Sequence, residues 1–235
     1  MCGIAGVYAY HYAANPVDRQ ELRRMRDHMA PRGPDGVGEW HSEDGRASLA
    51  NRRLAIIDLS ELAAQPMVNP DRRHVITFNG EIYNYRELRR TLEARGYVFR
   101  SNSDTEVLLH LYAWKGPEMV HDLRGMFAFA LWDGEKRGLL LARDPYGIKP
   151  LYIADDGWTL RFASQVKALV AGGRIASEVE PAAWVGFFLL GSVPEPDSFV
   201  LGLGGSTSRI MRSISANAAA WNSCRENGTP PVSNS

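Results

Sequence analysis

"MCGIAGVYAY", residues 1–10, decides how the chain is read. Residues 4–9 alternate as a strand does, with a cysteine just ahead of them. On one reading Cys2 is a small buried hydrophobe at the start of a first strand. On the other, Met1 is removed, and Cys2 then carries a thiol and a free α-amine on one carbon, a nucleophile with its own base. An unperturbed α-amine has a pKa of about 7.7–8.0, suited to general-base work near neutral pH. Ten residues do not separate these readings; the rest of the chain has to.

The 235 residues suit one large domain or two small ones, and the formal charge is zero. That balance argues against a general nucleic-acid binder or an anionic-membrane binder, so neither partner is expected. No apolar run approaches the roughly 20 residues that span a bilayer, and the N-terminus lacks a signal-peptide pattern. Two cysteines, Cys2 and Cys224, make no disulfide framework and fit a reducing cytoplasm, the expected location. No cysteine or histidine pair has zinc spacing, and no metal is expected.

Residues 17–29 place Leu22, Met25 and Met29 at helical spacing, and Pro31 and Pro34 end that helix in the loop "PRGPDG". "ASLANRRLAIIDLS" (47–60) reads as one or two strands, and "HVITFNGEIYNY" (74–85) as a strand entering a turn at Asn79-Gly80. A helix carrying Leu88 and Leu92 stops at Gly96; "YVFR" (97–100) reads as a short strand. "SDTE" (103–106) has the form of a capping box, Ser103 with Glu106, opening a helix to Trp114. "MFAFALWD", "GLLLARD", "PLYIADD" and "TLRFAS" give four strands, and "SQVKALVA" and "PAAWVGFFLLG" two helices. Strands, then helices, then strands favour antiparallel sheets covered by helices. From Phe199 the composition turns to Ser, Asn, Gly and Ala without periodicity. Residues 1–198 are therefore read as the domain and 199–235 as a disordered tail.

A nucleophilic thiol needs a base, but His11, His28, His41, His74, His110 and His121 are scattered over helices and loops in no catalytic frame. The terminal amine is the workable base. Asn79-Gly80 offers a side-chain amide and a backbone N–H as oxyanion donors, or a plain hairpin turn. Arg53, before an apolar run, offers a bidentate grip on a carboxylate, or a solvated strand end. Asp104 opens a helix, where a cap explains it equally well.

Taken together, in order, "MCGIAGV", "RGPDG", "RRLAIIDLS", "QPM", "FNGEIYNYRELR", "SDTEVLLHLY", "LRGMFAFALWD", "ARDPYGIKPLY" and "FASQVKAL" closely resemble one family. It is the glutamine-hydrolysing domain of asparagine synthetases, class II glutamine amidotransferases of the N-terminal-nucleophile hydrolase fold. The resemblance runs from Met1 to about Ser198. It implies an α+β fold, a four-layer αββα sandwich of two antiparallel sheets flanked by helices. It implies hydrolysis of glutamine to glutamate and ammonia through a γ-glutamyl thioester on Cys2. Carried over by position, Asn79 and Gly80 form the oxyanion hole. Arg53, beside Leu54, Ala55, Ile56 and Ile57, binds the glutamine α-carboxylate, and Glu81 and Asp104 face its α-ammonium. Arg32 and Asp35 order the loop beside the nucleophile.

Pro31 and Asn51 stand where the family usually has histidine, and Gln165 where it has glutamate. Beyond residue 199 the family continues into an ATP-pyrophosphatase domain, whose "SGG-x-DS" loop "LGGSTS" (203–208) does not reproduce. No cofactor is therefore expected for this chain; ATP and Mg would serve only the synthetase domain, which amidates aspartate in the parent enzyme. The alternatives are an inactive truncated fragment, or a subunit supplying ammonia to a separate ATP-pyrophosphatase partner that amidates another carboxylate.

Overall fold

The structure, a computed structural model, describes residues 1–175, 178, 180–190, 204–205, 212–215 and 222–223. In chain order its helices and strands are β1 (Gly3–Ala9), α1 (Arg19–His28), β2 (Gly36–His41), β3 (Ala47–Arg53), β4 (Met67–Val68), β5 (His74–Ile82), α2 (Tyr85–Glu93), α3 (Asp104–Lys115), β6 (Gly125–Asp133), β7 (Gly138–Arg143), β8 (Tyr152–Asp155), β9 (Thr159–Ala163), α4 (Val166–Ala171), α5 (Pro181–Leu190), β10 (Gly204–Gly205), β11 (Arg212–Ser215) and β12 (Asn222–Ser223). One sheet runs β10-β8-β9-β1-β3-β2 and the other β12-β11-β7-β6-β5-β4. Every pairing is antiparallel.

All seven residues of β1 are buried, although their alternation suggests one dry face and one wet one. The reason is layering. Ile4 and Tyr8 join Leu49, Phe162, Ala128, Ala130 and Leu141 in a core between the two sheets. Ala5 and Val7 face the other way, onto Leu22, Met25 and Met29 of the first helical layer and Leu169 of α4. A third core sets Ile76, Phe78, Phe129 and Leu131 of the second sheet against Leu92, Val107, Leu108 and Leu111 of α2 and α3. Helix, sheet, sheet, helix is the four-layer αββα sandwich expected from the sequence.

Several local expectations change. Asn79-Gly80 is no turn: β5 continues to Ile82 in register with β6, Asn79 opposite Ala128 and Gly80 opposite Phe127, and neither residue adopts a positive φ. The chain turns only beyond Ile82, where Tyr83 N donates to Arg124 O at 2.7 Å. Residues 54–60 are an irregular loop rather than a strand, and 97–100 are not a strand. Neither stretch pairs with a strand among the described residues; Ile56, Leu59 and Val98 stay exposed, and Tyr97 and Phe99 pack against the α2–α3 core. The capping box is half made: Ser103 Oγ accepts from Thr105 N at 3.2 Å, but Glu106 turns back to Arg100 N, Ser101 N and Ser101 Oγ. His41 and His74 lie on strands, not on helices or loops. Of the segment 199–235, expected to be disordered, residues 204–205 pair as a strand with β8, 212–215 with β7, and 222–223 with 212–213. Backbone pairing at an edge needs no apolar periodicity. The rest of that segment, Cys224 included, lies outside the described residues. Among those described, no helix is long and apolar enough to cross a membrane.

Gly6 sits mid-strand in β1, where a Cβ would overlap the Phe162 ring and press on Leu49 Cδ2 at 3.0 Å. Gly6→Ala is expected to destabilise the fold by about 1–3 kcal/mol through overpacking. Chemical denaturation checks this; a change under about 0.5 kcal/mol, the level of an ordinary surface substitution, would contradict the tight inter-sheet packing.

Candidate active site

The site forms where β1 begins. Gly3 is paired with Arg52, so Cys2 lies one residue beyond the ladder, beside Arg53 and Leu54. Its half-buried Sγ accepts from Leu54 N at 3.3 Å and faces Leu54 O at 3.6 Å. Arg32 Nε donates to Cys2 O at 3.1 Å and fixes the backbone behind the thiol. Burial holds the Arg32 guanidinium below its usual pKa, against the opposing influence of Cys2 and Tyr152. Pro31 lies in the short 3-10 turn Ala30–Arg32 that delivers this side chain. Asp35 closes the loop from the other side: its N–H donates to Arg53 O at 3.0 Å and its Oδ2 accepts from Ala55 N at 2.9 Å.

A cavity of about 90 Å³ opens in front of Cys2. Arg53, Leu54, Ile56, Ile57, Asn79, Gly80, Glu81 and Asp104 line it with Cys2, so one wall gathers residues from 2 to 104 in sequence. Ala55, Arg32 and Asp35 are absent from the lining and act from behind it. Arg53 is already engaged: Nη1 donates to Ser60 O at 3.1 Å and Nη2 to Asp58 O, so the guanidinium also folds the 54–60 loop. No histidine lines the cavity, which leaves no imidazole base for the thiol there.

β5 supplies the donors. Phe127 N donates to Asp144 Oδ2 and its carbonyl accepts from Asp144 N, so its backbone faces away from β5. Gly80, opposite Phe127, is therefore in a non-hydrogen-bonded pair, and its N–H points outward from the sheet edge. The flanking outward donors are taken. Phe78 N donates to Gln65 Oε1 at 2.6 Å and Ile82 N to Asp104 Oδ2 at 3.1 Å. Between them the Gly80 N–H meets no acceptor among the described residues. Gly80 must be glycine because a Cβ would run into Met126 O and Phe127 Cα. Asn79 is 1% exposed, and its Nδ2 has no hydrogen-bond partner among the described residues. A buried amide left unpaired costs roughly 1–3 kcal/mol, which a ligand oxygen would recover.

Asp104 is 4% exposed. Burial pushes its pKa up to about 6, and Glu81 adds to the rise, while N–H bonds from Ile82, Thr105 and its own backbone pull the other way. Two carboxylates beside a partly dry pocket create a place for a cation.

Residues without a role in the sequence reading also belong here. Gln65, Thr105, Met126 and Lys149 line the cavity, and buried Asn51 donates to Gln65 Oε1 at 3.1 Å. "QPM" was the one available signal for Gln65. Gln165 is the N-cap position of α4 and makes no side-chain cap bond.

Comparison with known proteins bears on the family and the fold. Asparagine synthetase 1 of Bacillus subtilis is 43% identical over 199 residues, 84% of this chain and 31% of that protein. Asparagine synthetase B of Escherichia coli is 43% identical over 188 residues, 79% of this chain and 33% of its own length. The chain thus spans about a third of these curated relatives. The solved structure of glutamine phosphoribosylpyrophosphate amidotransferase from B. subtilis superimposes with a TM-score of 0.62 at 23% identity. It covers 77% of this chain and 46% of that one, a likeness of fold. The family described as "Glutamine amidotransferase domain" matches residues 1–213. The chain belongs to the glutamine amidotransferase domain family.

Proposed function

We propose that this chain hydrolyses glutamine to glutamate and ammonia, with Cys2 as nucleophile. The observation that carries the reading is a pair of donors in the cavity that Cys2 opens onto: Asn79 Nδ2, unpaired among the described residues, and the Gly80 N–H that points outward from β5. In the first half, Sγ bonds to the side-chain amide carbon of glutamine. The thiol proton passes to the Cys2 α-amine and on to the leaving nitrogen; the C–N bond breaks and ammonia departs. In the second half, water adds to the thioester and gives its proton to the same amine. The C–S bond then breaks, and the sulfur regains the proton. Each half passes through a tetrahedral oxyanion, which Asn79 and Gly80 are placed to bind. In this reading Arg53 binds the α-carboxylate, and Glu81 and Asp104 the α-ammonium.

Hydrolysis needs neither ATP nor Mg; in this reading both serve the synthetase portion that the relatives carry beyond the matched third. The ammonia would go to such a domain or subunit, with aspartate as acceptor in an asparagine-forming parent. The exposed Trp184, Val185, Phe188 and Leu189 of α5 support a partner on that side. The two-cysteine composition supports a cytoplasmic location.

The base in this mechanism exists only once Met1, which lines the cavity, is gone. Ammonia release is expected to vanish in Cys2→Ala, and equally in a chain carrying a tag ahead of Met1, with the fold intact by circular dichroism. Full activity of the tagged chain would exclude the amine as base.

Asp104 gives a second test. Its pKa is raised on folding, so its contribution to stability is present at low pH and lost as pH rises through about 6. Asp104→Asn keeps an acceptor for Ile82 N and removes the buried charge. The variant is expected to be more stable than wild type at pH 7.5, by about 2–3 kcal/mol at most, with the difference closing below pH 4. Its KM for glutamine should rise about tenfold or more as the ammonium loses its partner. A variant that is less stable at pH 7.5, with unchanged KM, would show that Asp104 only braces the start of α3 and Ile82 N.

A further inference from the structure

Beyond Ile76, β5 has no strand on its outer side among the described residues, since β4 pairs only with Val75 and Ile76. Two side chains take the strand's place, Gln65 at Phe78 N and Asp104 at Ile82 N, with the Gly80 N–H between them. Gln65 is the more deeply tied. Its Oε1 accepts from both Phe78 N at 2.6 Å and Asn51 Nδ2 at 3.1 Å, and its Nε2 donates to Thr105 Oγ1 at 3.3 Å. Asn51 Nδ2 also donates to Thr77 Oγ1, which donates to Ala50 O. The Gln65 amide cannot turn over, because that would set its NH2 against two donors. One side chain thus joins β3, the oxyanion strand β5 and the start of α3, where Asp104 sits.

We infer that Gln65 is a positioning residue for the oxyanion hole: by holding Phe78 N–H it fixes the backbone that aims Asn79 Nδ2 and Gly80 N–H at one point. This rests on the glutaminase reading above. Oxyanion donors act only on the transition state, so loss of their alignment lowers turnover and spares substrate binding. It leaves the reactivity of the thiol toward an alkylating agent unchanged, because displacement of iodide builds no oxyanion.

The test uses the full chain and two variants. Gln65→Met fills the same space without hydrogen bonds. It is expected to lower kcat for glutamine about 10-fold to 100-fold, with KM and the rate of Cys2 alkylation by iodoacetamide within about twofold of wild type. Gln65→Glu keeps both acceptor bonds, and its carboxyl, when protonated, also restores a donor toward Thr105. Its kcat relative to wild type is expected to rise as pH falls. Turnover of Gln65→Met within twofold of wild type would overturn the inference, as would a KM rise matching the loss of kcat, or failure of both variants to fold. A wild-type chain with no glutaminase activity would instead overturn the function proposed for the site.

Discussion

The structure turns on the outer edge of β5 between Phe78 and Ile82. A strand edge carries a row of backbone donors that must be paired, covered or left to water. Here alternate N–H groups face outward. Side chains from a loop and from a helix start satisfy the first and third. Among the described residues the middle one stays open in the cavity that Cys2 faces, with the unpaired Asn79 amide beside it. The proposed active site is therefore a gap in a hydrogen-bond ladder, and the sandwich around it holds the gap's rims still. β6 fixes the inner side of β5 over nine residue pairs, from His74 to Ile82, which makes the donors rigid on the side away from the ligand.

The same region concentrates buried charge. Asp104 and Arg32 are both held in environments that disfavour their ionised forms, one by its position at the start of α3, the other behind Cys2. Elsewhere some of the described charges lie in ion pairs, such as Arg161 with Glu21 at 2.6 Å and Lys115 with Asp122 at 2.7 Å, while the buried Asp144 accepts backbone N–H groups. Substrate ammonium beside Asp104 would supply a counter-charge that the free protein lacks. The site is thus expected to be a locus of stored instability relieved by binding, a common cost of function.

The fold was legible in the sequence because its layers follow from strong apolar runs at 126–133 and 138–143 and from the helical spacing of Leu22, Met25 and Met29. The alternation in β1 suggested one exposed face because periodicity does not report a second covering layer. Asn79-Gly80 carries the strongest local hairpin signal, yet β6 keeps the strand extended through it; long-range pairing outweighed local turn chemistry. Cys2, Arg53, Asn79 and Asp104 were visible as chemical types and converge on one cavity. Gln65 was not, since its role lies in three hydrogen bonds to residues 14, 13 and 40 positions away, which no spacing rule announces. Asn51, marked as a departure from the family's histidine, is a member of the same network.

The central claim is that Asn79 Nδ2 and Gly80 N–H are held open for an oxyanion beside Cys2. Its most direct test is a high-resolution structure of the chain, Met1 removed, with Cys2 alkylated by a diazoketone analogue of glutamine. The account predicts the adduct's carbonyl oxygen within about 3 Å of both donors, and its ammonium against Glu81 and Asp104. An adduct whose oxygen faces solvent, with the Asn79 amide still unpaired, would contradict it.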